Sequence, residues 1–319
     1  MIVEEALAEC SKELLTNSIF QSPWWLDAVA PGQWAAVEVK SSGVVMGRMP
    51  YVLRRKSGLT LITGAPLTQT LGPWIRSQQA KYERRFAHES EVCSELIQQF
   101  PASQKCLIPC HPSITNLLPF HWAGFDIGVR YTYRLEDLSD FAKIWEGVST
   151  LRRRDIRKAE EHLAVRDDLG LDTFWDVNAL SFKRQGLPPP YARETVERLD
   201  DALSGRNRRR ILFAVDARAR VHAVAYFVWD ADTTYYLMGG ADPDLRSSGA
   251  STLLLWHGIK CAADTSRRFD FEGSMIRPIE NFVRSFGAVQ TPYYQAVRMS
   301  SLIKVLSAAR QMFSKPASR

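Results

Sequence analysis

The chain has 319 residues, 45% of them hydrophobic and 24% charged, with a formal net charge of +6. That length and balance suit a soluble globular protein of two ordinary-sized domains and exclude a mainly disordered chain. No apolar window approaches the ~20 residues needed to cross a bilayer, and the first residues lack the basic, apolar and small-residue sequence of a secretory signal, so a cytoplasmic protein without a membrane span is expected.

Near the start stand Phe20, Gln21, Ser22, Pro23, Trp24 and Trp25, whose tryptophan pair is a candidate either for the wall of a cleft, with Trp25 in contact with a substrate, or for plain packing. Three strands are predicted over residues 34–39, 44–53 and 59–63, joined by turns at 41–43 and 56–58. Gly64, Ala65, Pro66, Leu71 and Gly72 follow, and then a helical stretch over 78–100. The five cysteines are odd in number and scattered, which argues against a disulfide framework. Cys106, Cys110 and His111 cluster without the paired ligand spacing of a zinc site, so no metal is expected.

Residues 138–204 read as largely helical. Leu151, Ile156, Ala159 and Leu163 recur at helical intervals, and Arg152, Arg153, Arg157 and Lys158 fill the other faces. Those four are candidates for a phosphate clamp on donor or acceptor; a second basic run follows at Arg206 and Arg208 to Arg210. Gly186, Pro188, Pro189 and Pro190 end the helical pattern in a loop. Strands over 210–215, 221–229 and 234–238 then repeat the three-strand order of the first half, followed by Gly239, Gly240, a loop and a helix. A helix, meander, loop and helix unit repeated twice predicts an α/β protein of the α+β type, with two tandem domains, each a mainly antiparallel twisted sheet flanked by helices. The expected boundaries are 1–137, 138–300, and a C-terminal helix with a basic tail over 301–319.

The two copies differ at their loops. The second has Arg246, Ser247, Ser248, Gly249, Ala250 and Ser251 directly before an apolar helix, an arrangement that presents backbone N–H groups to an anion and suits a diphosphate. An ordinary βα connection capped by Ser247 or Ser248 is the alternative. The first copy has Pro66, Leu67, Thr68, Gln69, Thr70 and Leu71 before its glycine, so the ligand loop is expected in the second.

This loop resembles the Arg/Gln-x-x-Gly-x-Gly/Ala pattern on which acyltransferases of the GNAT superfamily hold coenzyme A, with Ser251 in the last small position. The string Arg152 to Glu160 resembles the basic helix that opens the second domain of FemAB-like transferases. The segment 269–287, which holds Gly273, Ser274, Phe282, Phe286 and Gly287, resembles their strand, Gly-Ser pair and Phe-x-x-x-Phe-Gly close, and 20–25 resembles their first helix. A FemAB-like member of the GNAT superfamily implies two GNAT-type domains and transfer of an acyl or aminoacyl group to an amine, in some members for cell-surface glycans. Where tRNA-using members carry a lysine, this chain has Val283, and Arg284 is the nearest cation. That departure favours an acyl-CoA donor, with a small amine or amino sugar as acceptor. Aminoacyl-tRNA remains the alternative donor, and a catalytically silent RNA-binding protein on the same scaffold is a third reading.

Acyl transfer needs an oxyanion donor, a base and a proton for the leaving group. The resemblance places the first at a backbone N–H of a bulged strand near Met238, Gly239 and Gly240. Glu272 is the first candidate for the base, with Asp270 two positions before it on the same side of a strand running to Ser274; the alternative for Glu272 is a cap on the following helix. Tyr294 is the candidate for protonating the leaving group.

Overall fold

The computed structural model of the chain describes residues 15–183, 186–273, 275–301 and 303–305. Cys10, Ser274 and the basic tail beyond residue 305 lie outside them. The chain divides into two compact units, Met1–Arg130 with Tyr293–Arg319, and Tyr131–Pro292.

In the first unit, α1 (Pro23–Val29) starts with proline, whose missing N–H costs nothing in the first turn. Strands β1 (Trp34–Ser41), β2 (Val44–Lys56) and β3 (Leu59–Thr63) form the predicted antiparallel meander. Its turns place Ser42 and Gly43, then Ser57 and Gly58, at positive φ, the pairing that tight hairpins require. The short β4 (Trp74–Ile75) pairs with β2. Helix α2 (Tyr82–Gln98) then leads to β5 (Lys105–Pro109), parallel to β3, and α3 (Leu118–Trp122) follows. Met49, Ile62, Leu96, Ile108 and Phe120 are buried in this unit's core. Cys93 and Cys106 are buried there too, and burial pushes both thiols up to about 12.

Strand β6 (Asp126–Leu135) carries the chain into the second unit. There α4 (Phe141–Gly147), α5 (Thr150–Glu160), β7 (Leu163–Arg166), α6 (Gly170–Lys183) and α7 (Arg193–Ser204) precede the second meander. That meander is β8 (Arg209–Asp216), β9 (Val221–Trp229) and β10 (Thr233–Ala241). Helix α8 (Ala250–Ala262), β11 (Arg268–Asp270) and α9 (Arg277–Arg284) complete it. Within this unit the strand order is β6-β11-β10-β9-β8-β7, antiparallel except between β10 and β11. Helix α8 is apolar on nearly every face because it lies between sheet residues such as Phe227 and Phe269 and the helices α4 and α5, where Trp256 meets Trp145 at 4.7 Å.

The last strand, β12 (Val289–Met299), leaves the second unit at Pro292, and Gln295–Met299 pair with β5 in the first. The units therefore differ from the expected division at 137/138: residues 293–299, expected with the C-terminal domain, hydrogen-bond into the N-terminal sheet. Two local expectations change as well. Leu163 opens β7 instead of continuing the helical stripe, since α5 ends at Glu160. The strand expected to reach Ser274 stops at Asp270, because Glu272 and Gly273 turn to φ +56° and +50°.

Candidate functional site

The loop between β10 and α8 contains a 3₁₀ turn, Arg246–Ser248, and then Gly249 at φ +77°. A Cβ on Gly249 would stand 3.0 Å from the Asp155 carbonyl oxygen and 3.4 Å from Ala159 Cβ. Glycine is needed here for the left-handed backbone and for the contact with α5 together. As N-cap, Gly249 has no side chain to bond the first turn of α8. Ser248 Oγ accepts from the Ala250 N–H at 3.4 Å, whereas among the described residues the N–H groups of Ser251 and Thr252 have no acceptor. Their direction and the helix dipole favour an anion at this end.

The loop and α5 form a solvent-open cleft of ≈ 500 Å³, lined among others by Arg152, Arg154, Lys158, Arg246, Gly249 and Ser251. Its single lining carboxylate, Asp155, is paired with Arg152 at 2.8 Å. Arg152 also donates to Ser285 Oγ at 3.1 Å and lies 5.0 Å from the centre of the Phe282 ring, so it is anchored as a wall of the cleft. Arg154 and Lys158 are exposed, one helical turn apart. The cleft therefore offers several cations beside a helix N-terminus, the environment of a bound phosphate.

Of the four basic residues expected as a clamp, Arg152 and Lys158 line this cleft. Arg153 does not line it, and Arg157 lies over the Trp145 ring at 5.7 Å. Arg154, which belongs to the same basic run but not to the expected clamp, lines it as well, since its i, i+4 spacing from Lys158 puts both on one face. Arg284 is not at the cleft either: it bonds Glu280 at 2.6 Å and Asn281 at 2.9 Å along α9. Trp25 is fully buried in the first unit, T-stacked on Phe20, with its indole N–H on Thr68 Oγ1 at 3.0 Å. That corrects its placement as a cleft wall. Tyr294 packs against the first unit's core, and its carbonyl accepts from the Cys110 N–H at 2.8 Å; its side chain is not among the residues around the second unit's loop.

Strands β10 and β11 are parallel only over Thr233–Tyr235 and Arg268–Asp270. Beyond that β10 continues to Ala241, and its register with β9 slips between Tyr236 and Met238, which makes Leu237 the extra residue of a bulge. Met238 is buried. Packing against backbone requires glycine at 240, where a Cβ would lie 2.6 Å from Asn178 Cα, while a Cβ on Gly239 would lie 1.9 Å from the Tyr236 hydroxyl. Tyr236, level with the bulge, was not singled out from the sequence.

The two acidic candidates have different surroundings. Asp270 is fully buried: Thr132 Oγ1 donates to its Oδ1, Arg134 Nε to its Oδ2 at 2.7 Å, and the Glu272 N–H to its Oδ1 at 2.8 Å. Both carboxylate oxygens are engaged in holding the chain, which corrects Asp270 from a base to an anchor. Glu272 does not cap α9, whose N-cap is Ile276 without a side-chain bond. Its Oε1 is buried and has no hydrogen-bond partner among the described residues. Burial, with the Asp270 charge adding to it, holds the Glu272 carboxyl well above the usual carboxylate range. Among the described residues no group of three or more His, Cys, Asp or Glu is arranged to hold a metal, and no helix is long and apolar enough to cross a membrane.

Residues 149–276 match the family model described as an acetyltransferase (GNAT) domain. Among solved structures, FemX is similar over 93% of this chain and 94% of its own, with 12% identity and a TM-score of 0.67. The C-terminal domain of a putative lysylphosphatidylglycerol synthetase from Agrobacterium fabrum is similar over 99% of both chains, with 11% identity and a TM-score of 0.59. A tandem GNAT protein from the clavulanic acid biosynthesis pathway is similar over 87% of this chain and 88% of its own, with 14% identity and a TM-score of 0.52. No curated protein sequence matches the chain.

Proposed function

We propose that the chain is an acyltransferase that moves an acyl group from acyl-CoA to the amine of a small metabolite or amino sugar, in the building of cell-surface glycans, a reading supported by the acetyltransferase (GNAT) domain match over residues 149–276 and by the FemX-like fold. The observation that carries the choice of donor is the cationic cleft at the N-terminus of α8. Arg154, Lys158 and Arg246, with the Ser251 and Thr252 N–H groups, suit the diphosphate and further phosphate of coenzyme A. The acyl arm then runs toward the bulge of β10, where a backbone N–H stabilises the negative oxygen of the tetrahedral intermediate.

Glu272 takes a proton from the attacking amine as the C–N bond forms. Cleavage of the C–S bond releases the thiolate, which receives that proton. The carboxyl is suited to this by its depressed acidity, which keeps its proton affinity nearer that of the groups it serves. With Tyr294 in the first unit's core packing, this chemistry assigns it no step.

Aminoacyl-tRNA is the second reading of the donor, supported by the open side of the cleft, where Arg154 and Lys158 are exposed. Against it stands Val283, only 3% exposed within the second unit's core: the position that resemblance gives to a lysine is closed to a charge here. The test is release of free thiol from acetyl-CoA in the presence of a panel of amino sugars and small amines. Acceptor-dependent thiol release is the expected result. Transfer from charged tRNA with none from acetyl-CoA would establish the second reading, and salt-sensitive RNA binding without either transfer would favour the silent scaffold.

A further inference from the structure

Past Tyr235, strand β10 loses β11 as a neighbour yet stays extended to Ala241. The Asp242 N–H donates to the His222 carbonyl at 3.0 Å. With the β9 register Gly240↔Val224 and Met238↔Tyr226, strand alternation makes residues 238, 240 and 242 the ones bonded to β9. Gly239 and Ala241 therefore turn their N–H and C=O groups to the other edge, the one β11 has vacated. A free strand edge is normally paired or covered, and this one is covered by a helix. Asn178 Nδ2 donates to the Gly239 carbonyl at 2.8 Å, and Ser181 Oγ accepts from the Ala241 N–H at 3.0 Å. Asn178 and Ser181 are three residues apart on α6, on one face. Asn178 is fully buried, and α6 is pressed so close at this point that only glycine fits at residue 240. On that edge, among the described residues, nothing accepts from the Gly239 N–H.

We infer that Asn178 and Ser181 are positioning residues that stand in for the missing strand, holding β10 so that the Gly239 N–H is the group presented to the donor's carbonyl oxygen. This rests on the acyl-CoA reading above and adds to it which atom acts and what holds it. The same pair reaches the loop between α6 and α7: the Tyr191 hydroxyl donates to Asn178 Oδ1 at 3.1 Å. The Tyr191 ring stands edge-on to Trp175 and Phe182, and burial pushes its phenol up to about 12, so it remains a donor at neutral pH. Asn178 thus spends its acceptor on the loop and its donor on the strand. The alignment of the donor's carbonyl is coupled through one amide to the loop that follows Pro188, Pro189 and Pro190.

The test is the carbonyl stretch of acetyl-CoA, labelled with carbon-13 at the carbonyl, bound to the full chain. The wild type is expected to move this band below its frequency in free acetyl-CoA, as a hydrogen bond to the oxygen weakens the C=O bond. Ser181→Ala and Asn178→Asp, which keeps an acceptor for Tyr191 but loses the donor to Gly239, are expected to return the band toward the free value while the affinity for CoA itself is unchanged. Ser181→Thr should restore it, and Tyr191→Phe should broaden or partly return it. Thermal unfolding identifies any variant that fails to fold, and Ser181→Ala, a small change at a half-buried site, keeps the test decisive if Asn178→Asp is lost. A displaced band in folded Ser181→Ala and Tyr191→Phe equal to that of the wild type would overturn the inference alone. Failure of the wild type to bind acetyl-CoA would overturn the donor reading and this inference with it.

Discussion

Glu272→Gln is expected to lower acyl transfer by about 10²- to 10⁴-fold, the range for removing a general base, with the affinity for CoA unchanged. Glutamine keeps the shape and volume of the side chain, so the loss reports proton transfer alone. The pH profile supplies the second readout. A base works in its ionised form, and the Glu272 carboxyl is held well above its ordinary range by burial and by Asp270. The wild-type rate is therefore expected to rise with pH through that raised value and to level off above it, while the residual rate of Glu272→Gln lacks this rise. Stability has the opposite sign. A carboxyl whose folded-state pKa is raised binds its proton more tightly in the folded chain, so stability falls as pH rises from the unfolded value, about 4.3, toward the folded one. Glu272→Gln removes that fall, and urea unfolding at successive pH values should show the variant overtaking the wild type at the alkaline end. Equal transfer rates in both proteins would remove Glu272 from the chemistry.

Asp270→Ala is expected to destabilise the second unit by about 3–5 kcal/mol, the usual cost of breaking a buried ion pair from one side. Arg134 is 5% exposed, so without the carboxylate it keeps a buried charge with no partner on its Nε. The Thr132 hydroxyl and the Glu272 N–H lose an acceptor in the same step. Since the last of these bonds fixes the turn at Glu272, the variant is expected to lose transfer activity as well as stability. The double change Asp270→Leu with Arg134→Met, which removes both charges, should recover much of the unfolding free energy without recovering activity. Urea denaturation of the three proteins measures this. A single variant as stable as the wild type would mean that the pair carries no structural burden.

Much of the fold was legible because it is written locally. The two meanders show as apolar runs separated by Ser-Gly and Asp-rich turns, and the structure places Ser42 and Gly43, and Ser57 and Gly58, at the positive φ such hairpins need. The loop at Arg246–Ser251 was legible because its arginine, its glycine and the apolar helix after it are contiguous. What could not be read depends on partners distant in sequence. Residues 293–299 look like any strand, and only their pairing with Lys105–Pro109 assigns them to the first unit. Asp270 and Glu272 look alike on paper, and it is Thr132 and Arg134, more than 130 positions earlier, that bond the carboxylate of Asp270 and set it apart from Glu272. The basic helix was recognised as a run of charge, but its faces were not resolved: Arg154 lines the cleft and Arg157 lies on Trp145. Asn178 and Ser181 gave no signal, because an amide bonding a strand 61 residues away leaves no local pattern.

On the proposed reading, coenzyme A is held by the loop and helix start between β10 and α8. Calorimetric titration of the full chain with CoA and acetyl-CoA, beside Arg246→Ala and Gly249→Asp, tests it most directly. Binding by the wild type, weakened in Arg246→Ala and lost in a folded Gly249→Asp, is the predicted result, since the aspartate would bring both a strained backbone and a negative charge to the anion's place. No heat of binding from the wild type, or equal binding by all three proteins, would contradict it.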